Sequence, residues 1–206
     1  EAVDVILDVI GDQGTLLVPA SNSETFKQGR FDSENTPAQN DFGAISEQVR
    51  NLSASVRSIN PFDSVCGFGP LAEKICGGYN EQCYGEESPW KKALKYNCKL
   101  VMLGVDFYYA SIVHAAEVDA KVPYRKWINF ENKMVHKGVE TDFTVRLYAA
   151  ELGLKRHYNK VYDEVLESGD KLRKSKYIKG YSVDMEYIYS YFLKKIKNDP
   201  YIFVSL

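Results

Sequence analysis

The sequence lacks several things that would have placed it quickly. No apolar run approaches the roughly 20 residues that a membrane-spanning helix needs. There is no excess of basic charge: 26 Lys and Arg stand against 28 Asp and Glu, a net charge of −2. A general nucleic-acid or anionic-membrane surface is therefore not expected. Cysteine is sparse, at 66, 76, 83 and 98, with no CxxC spacing and no histidine cluster beside it. That argues against a zinc site and against a disulfide framework, and fits reduced thiols in a cytoplasmic protein. No signal peptide is visible; the chain opens without Met, inside an amphipathic pattern of Val3, Ile6, Leu7 and Ile10. It reads as a fragment whose natural beginning is absent.

What is present is a folded chain. Hydrophobic residues make up 45% of 206, enough for one domain with a sizeable core. Residues 1–10 read as a helix closed by Gly11, and 14–20 as a buried strand ended by Pro19. The polar stretch 20–42 reads as a long loop without regular structure. A helix is expected over 43–52, a strand over 53–59 and a short helix near 71–77. Ser88 and Pro89 are suited to open another helix. "CKLVMLGV" (98–105) has the continuous apolar character of a central strand covered on both faces. Short strands and turns are expected over 120–150, a helix near 157–168, and a C-terminal helix over 182–199 capped by Ser182. "YIFVSL" closes the chain as a strand. Helices alternating with apolar strands give an α/β class, with a central mixed sheet, helices on both faces and a single domain over 1–206.

The chain has only three histidines, and His114 has the least polar surroundings, in "YYASIVHAAEVDA". Glu117 follows at i+3, on the same helix face. An imidazole near its ordinary pKa of about 6.5 can take a proton at neutral pH, and a nearby carboxylate can hold its tautomer. On pattern alone, a packed histidine without a task is the commoner explanation. Glu140 and Asp142 are further candidates for its supporting carboxylate. Gly67, Gly69 and Ala72 fit G-x-G-x-x-A, but Pro70 removes an amide that a pyrophosphate would need. Cys66, in a loop, is the one cysteine worth weighing as a nucleophile. Lys91, Lys92 and Lys95 read as a solvated helix face.

Five segments in order change these odds: "GDQGTLLVPA", "FDSENTP", "VRSINPFDSVCGFGP", "YGEESPW" and "KLVMLGVDFYYASIVHAAE". Together they resemble the aminoglycoside 3-N-acetyltransferase (antibiotic N-acetyltransferase) family over most of residues 1–125. The resemblance implies an α/β enzyme that uses acetyl-coenzyme A, without a metal, to acylate a primary amine of an amino sugar by direct attack. It implies that His114 is the general base. The candidate catalytic set is then His114, Glu117 and Asp63, with Ser64 and Val65 contacting the coenzyme's pantetheine arm. Asp63 stands where the family has histidine, and Asn60 replaces another; Asp63 would pair with a cationic amine or orient His114. Glu24, Asp32, Glu34 and Asp41 are candidate carboxylates for a polycationic acceptor. The family's N-terminal helix and strand are expected to be missing from this chain. The acceptor is an aminoglycoside or, alternatively, a nucleotide-linked amino sugar of surface-glycan biosynthesis. A non-catalytic binding relative is the third reading. No nucleic-acid or membrane partner is expected, and a homodimer stays open.

Overall fold

Residues 2–160, 164–165 and 173–205 are described by a computed structural model. In chain order the elements are α1 (Ala2–Ile10), β1 (Leu16–Pro19), α2 (Ser23–Lys27), β2 (Arg30–Asp32), α3 (Gly43–Arg50), β3 (Val56–Arg57), β4 (Val65–Phe68), α4 (Ala72–Cys76), α5 (Pro89–Leu94) and β5 (Lys99–Leu103). There follow α6 (Ile112–Ala120), β6 (Arg125–His136), β7 (Val139–Ala150), β8 (Lys155–Arg156), β9 (Arg173–Lys174), β10 (Gly180–Asp184), α7 (Met185–Asn198) and β11 (Val204–Ser205). The mixed helix-and-strand class expected from the sequence is what forms. The described strands fall into small sheets of two or three. They belong to two compact units, residues 1–92 with 127–147, and residues 93–126 with 148–206.

In the first unit β4 lies between β1 and β3, antiparallel to both. Val18 and Cys66 of this sheet share a core with Val3 of α1 and Val49 of α3. Gly69 has φ +120°, and a Cβ there would meet the Gly14 carbonyl oxygen at 2.3 Å. The Thr15 hydroxyl accepts the Leu71 N–H beside it at 3.0 Å. The Gly-Pro loop is thus a close-packed turn, which agrees with rejecting the dinucleotide fingerprint.

Stretch 20–42 is more ordered than its composition suggested. Asn22 caps α2, its Oδ1 accepting the Thr25 N–H at 3.1 Å. β2 pairs in parallel with β6, Arg30 opposite Lys133. The Arg57 guanidinium donates to the carbonyls of Ala20, Ser33 and Thr36 and lies over the Phe31 ring. A residue far along the chain therefore organises this loop, which local pattern could not reveal. Phe26 and Phe31 pack with Cys83, Met134 and Val145 in a second core.

Residues 120–150, read as short strands and turns, instead carry the two twelve-residue strands β6 and β7. Lys137 and Gly138 between them both have positive φ, 50° and 74°, the signature of a two-residue hairpin turn. The heavy polar content of these strands hid their length.

In the second unit β10 lies between β5 and β9, antiparallel to both. The expectation that 98–105 is covered on both faces is not met. Among the described residues β5 pairs only with β10, and Val101 is 55% exposed. Ser182 does not cap the C-terminal helix. It sits in β10 opposite Val101, and α7 begins after Asp184. Strand pairing with β5 has overridden a good local cap. α7 packs against α6, burying Ile188, Phe192 and Ile196. Half of the helix expected near 157–168 lies outside the described residues, and of the rest Tyr158 and Asn159 form a turn. No described helix is long and apolar enough to cross a membrane.

Candidate active site

His114 sits on the first turns of α6, just after a tight turn in which the Asp106 side chain accepts the Tyr108 N–H at 3.0 Å. The helix is short because Lys121 ends it in the left-handed region, φ 53°. That reversal brings Tyr124 and Arg125 back along the helix they have just left. Small residues, Ala115 and Ala116, let α6 pack tightly, and Glu117 is carried into the interior with them.

A buried carboxylate is costly unless its oxygens are satisfied and its charge is balanced. Both conditions hold at Glu117, which is 0% exposed. Oε1 accepts the phenolic O–H of Tyr124 at 2.8 Å and of Tyr158 at 3.0 Å. Oε2 lies 2.7 Å from His114 Nδ1 and 2.9 Å from Arg125 Nε. The Arg125 Nε contact is an ion pair without an aligned hydrogen bond. Nη1 of Arg125 donates to the Tyr148 carbonyl at 2.8 Å, and Nη2 to the Tyr158 hydroxyl at 3.4 Å.

The 2.7 Å contact decides the tautomer. A carboxylate cannot face a nitrogen lone pair at that distance, so Nδ1 carries the hydrogen and donates it to Glu117. Arg125 Nη2, 3.2 Å from the same Nδ1, is then a neighbouring charge and not a donor to it. The basic lone pair is placed on Nε2. The ring is 22% exposed, so it is not walled off in the interior.

Electrostatics follow from this packing. Burial lowers the His114 pKa, and the charges of Arg125 and Arg156 lower it further. Together they outweigh the hydrogen bond and negative charge of Glu117, which act the other way. Burial alone would raise the Glu117 carboxyl. The His114 hydrogen bond, the His114 and Arg125 charges and the Tyr124 hydroxyl hold it well below its ordinary range instead. Burial and the adjacent carboxylate push the Tyr124 and Tyr158 hydroxyls up, so both stay protonated donors.

The structure thus brings Glu117 to His114, as the i+3 spacing suggested. Glu140 and Asp142 are occupied elsewhere, beside Arg30 at 3.7 Å and with Lys133. Sequence reading missed Tyr124, Arg125 and Tyr158. Only the helix reversal at Lys121 places the first two, and nothing in local spacing signals it.

Asp63 is 3% exposed, in the first unit. Its Oδ1 accepts from Asn80 Nδ2 at 3.2 Å and its Oδ2 from the Tyr84 N–H at 2.7 Å. Burial raises its pKa to about 7, against the lowering effect of those two bonds. This placement does not favour its pairing with a substrate amine, because both oxygens already hold the 60–84 loops together. Ser64 and Val65 are also buried. The Val65 amide is bonded to the Ser58 hydroxyl and its carbonyl to the Ser58 N–H. The Ser64 hydroxyl, in contrast, has no partner among the described residues.

Cys66 is fully buried and burial raises its thiol pKa, a poor setting for a nucleophile. Among the described residues no disulfide links the cysteines. Asp32 accepts the backbone amides of Glu34 and Asn35, and Glu24 pairs with Lys27 at 2.8 Å. Lys91 and Lys92 lie beside Glu86 and Glu87 at 3.8 and 3.5 Å.

Comparison with known proteins bears on the family and the fold. The sequence profile described as aminoglycoside 3-N-acetyltransferase matches residues 1–186. A curated relative, aminoglycoside N(3)-acetyltransferase IX of Micromonospora chalcea, is 22% identical over 58% of this chain and 49% of its own. The chain therefore spans about half the length of that relative. Among solved structures, AAC-IIIb in a binary complex with CoASH matches with TM-score 0.83 at 22% identity, over 95% of this chain and 83% of that one. Sisomicin-bound AAC-VIa, studied by neutron and X-ray diffraction, matches with TM-score 0.83 at 18% identity, over 96% and 84%. The chain belongs to the aminoglycoside 3-N-acetyltransferase family.

Proposed function

We propose that this protein transfers an acetyl group from acetyl-coenzyme A to a primary amine of an aminoglycoside, with His114 as general base. The carrying observation is the 2.7 Å bond from His114 Nδ1 to Glu117, which directs the basic lone pair to Nε2 on a partly exposed ring. An ammonium has no lone pair and cannot attack a thioester. The acceptor therefore reacts as its neutral amine, its ammonium proton having gone to solvent; as the nitrogen forms its bond to the thioester carbonyl, Nε2 takes a second proton from that nitrogen. The carbon–sulfur bond then breaks, the coenzyme leaves as thiolate, and a proton is returned to the sulfur. General-base assistance of this kind supplies typically ~10²–10⁴-fold in rate.

The acyl donor is a substrate, supplying an activated thioester. The Ser64 hydroxyl is the residue best fitted to meet it, since a buried hydroxyl without a partner costs about 1–3 kcal/mol until a polar atom satisfies it. Val65, whose backbone groups are already bonded, would contribute only apolar contact. Asp63 serves this reading as a brace for the loop that carries Ser64. Two relatives support the substrate class, one solved with CoASH and one with sisomicin.

Thiol release from acetyl-coenzyme A should be measured with sisomicin and, in parallel, with nucleotide-linked amino sugars. Release with sisomicin supports the aminoglycoside acceptor, and release with the nucleotide sugars alone would move the acceptor to glycan biosynthesis. Release with neither overturns the proposed activity.

A further inference from the structure

A histidine paired with a buried carboxylate carries a built-in conflict. The carboxylate sets the tautomer, but its negative charge also favours the imidazolium, raising a neighbouring pKa by about 1–3 units. A ring protonated at neutral pH has no lone pair with which to accept a proton. The second unit contains an answer to this conflict that the family resemblance did not supply.

Among the described residues, burial of the ring is the first influence lowering the His114 pKa; Arg125 at the start of β6 and Arg156 on β8 act in the same sense, against Glu117 on its own helix. Tyr124 and Tyr158 are neutral donors to Glu117. Arg125 is the closer cation to the pair. Its Nε is 2.9 Å from Glu117 Oε2 and its Nη2 is 3.2 Å from His114 Nδ1. Its side chain is 8% exposed, so the charge is little screened by water. The Tyr148 carbonyl and Tyr158 hydroxyl hold the guanidinium plane in place.

We propose that Arg125 is a positioning residue for His114, whose fixed charge cancels that of Glu117 so that the carboxylate can set the tautomer without protonating the ring. The inference rests on the reading of His114 as general base, but concerns the state of the ring itself, which can be observed without turnover. Glu117 supplies direction and Arg125 supplies the charge balance. Tyr124 and Tyr158 saturate the oxygen that His114 does not use.

The test is a nitrogen-detected NMR titration of His114 in the full chain, with resonances assigned by substituting each of the three histidines in turn. Arg125→Met should raise the His114 pKa by about 1–3 units. Arg125→Lys, which keeps the charge, should restore most of the wild-type value. Arg125→Met could fail to fold, because it strands a buried carboxylate. The comparison is then made between Glu117→Gln and the Glu117→Gln/Arg125→Met double variant, which leaves no buried charge in the pair; the double variant should again titrate higher. An unchanged His114 pKa on removing Arg125 in either background overturns the proposal. The acid limb of kcat/KM, measured on the same variants with sisomicin, separates the two ideas. A limb that moves with the NMR pKa supports both. A shifted NMR pKa with an unmoved limb leaves the charge balance standing and removes His114 as base.

Discussion

Glu117→Gln is the most informative single change in the protein. The two side chains are nearly the same size, so packing is preserved while the charge is lost. Arg125, with a side chain 8% exposed, would keep its positive charge with no anion beside it. The Gln amide would also have to present one oxygen where the carboxylate presented two. One oxygen now serves two tyrosines and the other serves His114 and Arg125. Removing one partner of a buried ion pair costs about 3–5 kcal/mol, far above the cost at an exposed pair. At about 2–4 °C per kcal/mol for a chain of this size, the melting temperature should fall by roughly 6–20 °C. Urea denaturation gives the free energy directly, and an unchanged m-value shows that the unfolded state is comparable. The Glu117→Gln/Arg125→Met double variant should regain a substantial part of the loss. A cost below about 1 kcal/mol for Glu117→Gln is the level of a solvated pair and would refute the picture of a desolvated, balanced carboxylate.

Three other outcomes are expected. The acid limb of kcat/KM should fall below the ordinary histidine value of about 6.5, because burial and the flanking arginines lower the His114 pKa and keep the base neutral as pH drops; a limb clearly above that value contradicts the assignment. Asp63→Asn should change how stability depends on pH. With a folded pKa near 7 against an ordinary 3.8, native Asp63 binds a proton that the unfolded chain has lost, so stability falls as pH rises across this window, by up to about 4 kcal/mol. Denaturation at pH 5 and 7.5 should therefore show a decline in the wild type that is reduced in the variant, and parallel declines would count against it. Cys66→Ala should retain activity within a few-fold, and mass spectrometry after adding acetyl-coenzyme A should find no acetylated protein; a trapped acyl-enzyme at Cys66 would reinstate the nucleophile.

How much of this was legible beforehand depended on whether the deciding contact was local. α1 with its Gly11 stop, and α5 with Ser88 and Pro89 at its start, follow from nearby residues; the Ser88 hydroxyl accepts the Lys91 N–H at 3.3 Å. The His114–Glu117 contact was legible for the same reason, since i, i+3 geometry is a property of one helix. What failed involved distant partners. Ser182 has the chemistry of a helix cap but is claimed by pairing with β5. Residues 20–42 look unstructured until Arg57 and β6 are brought to them. Arg125 looks like any surface cation in "VPYRKW", yet it is buried against Glu117 because Lys121 turns the chain. Asp63 drew attention by standing in place of a family histidine, and only the fold shows both its oxygens engaged.

In the proposed mechanism the His114 imidazole removes the proton from the attacking amine. The most direct measurement is kcat/KM for acetyl transfer to sisomicin by His114→Gln, with folding verified by circular dichroism. A loss of about 10²-fold or more is predicted from the usual contribution of a general base. A folded variant that retains activity within a few-fold of wild type would contradict it.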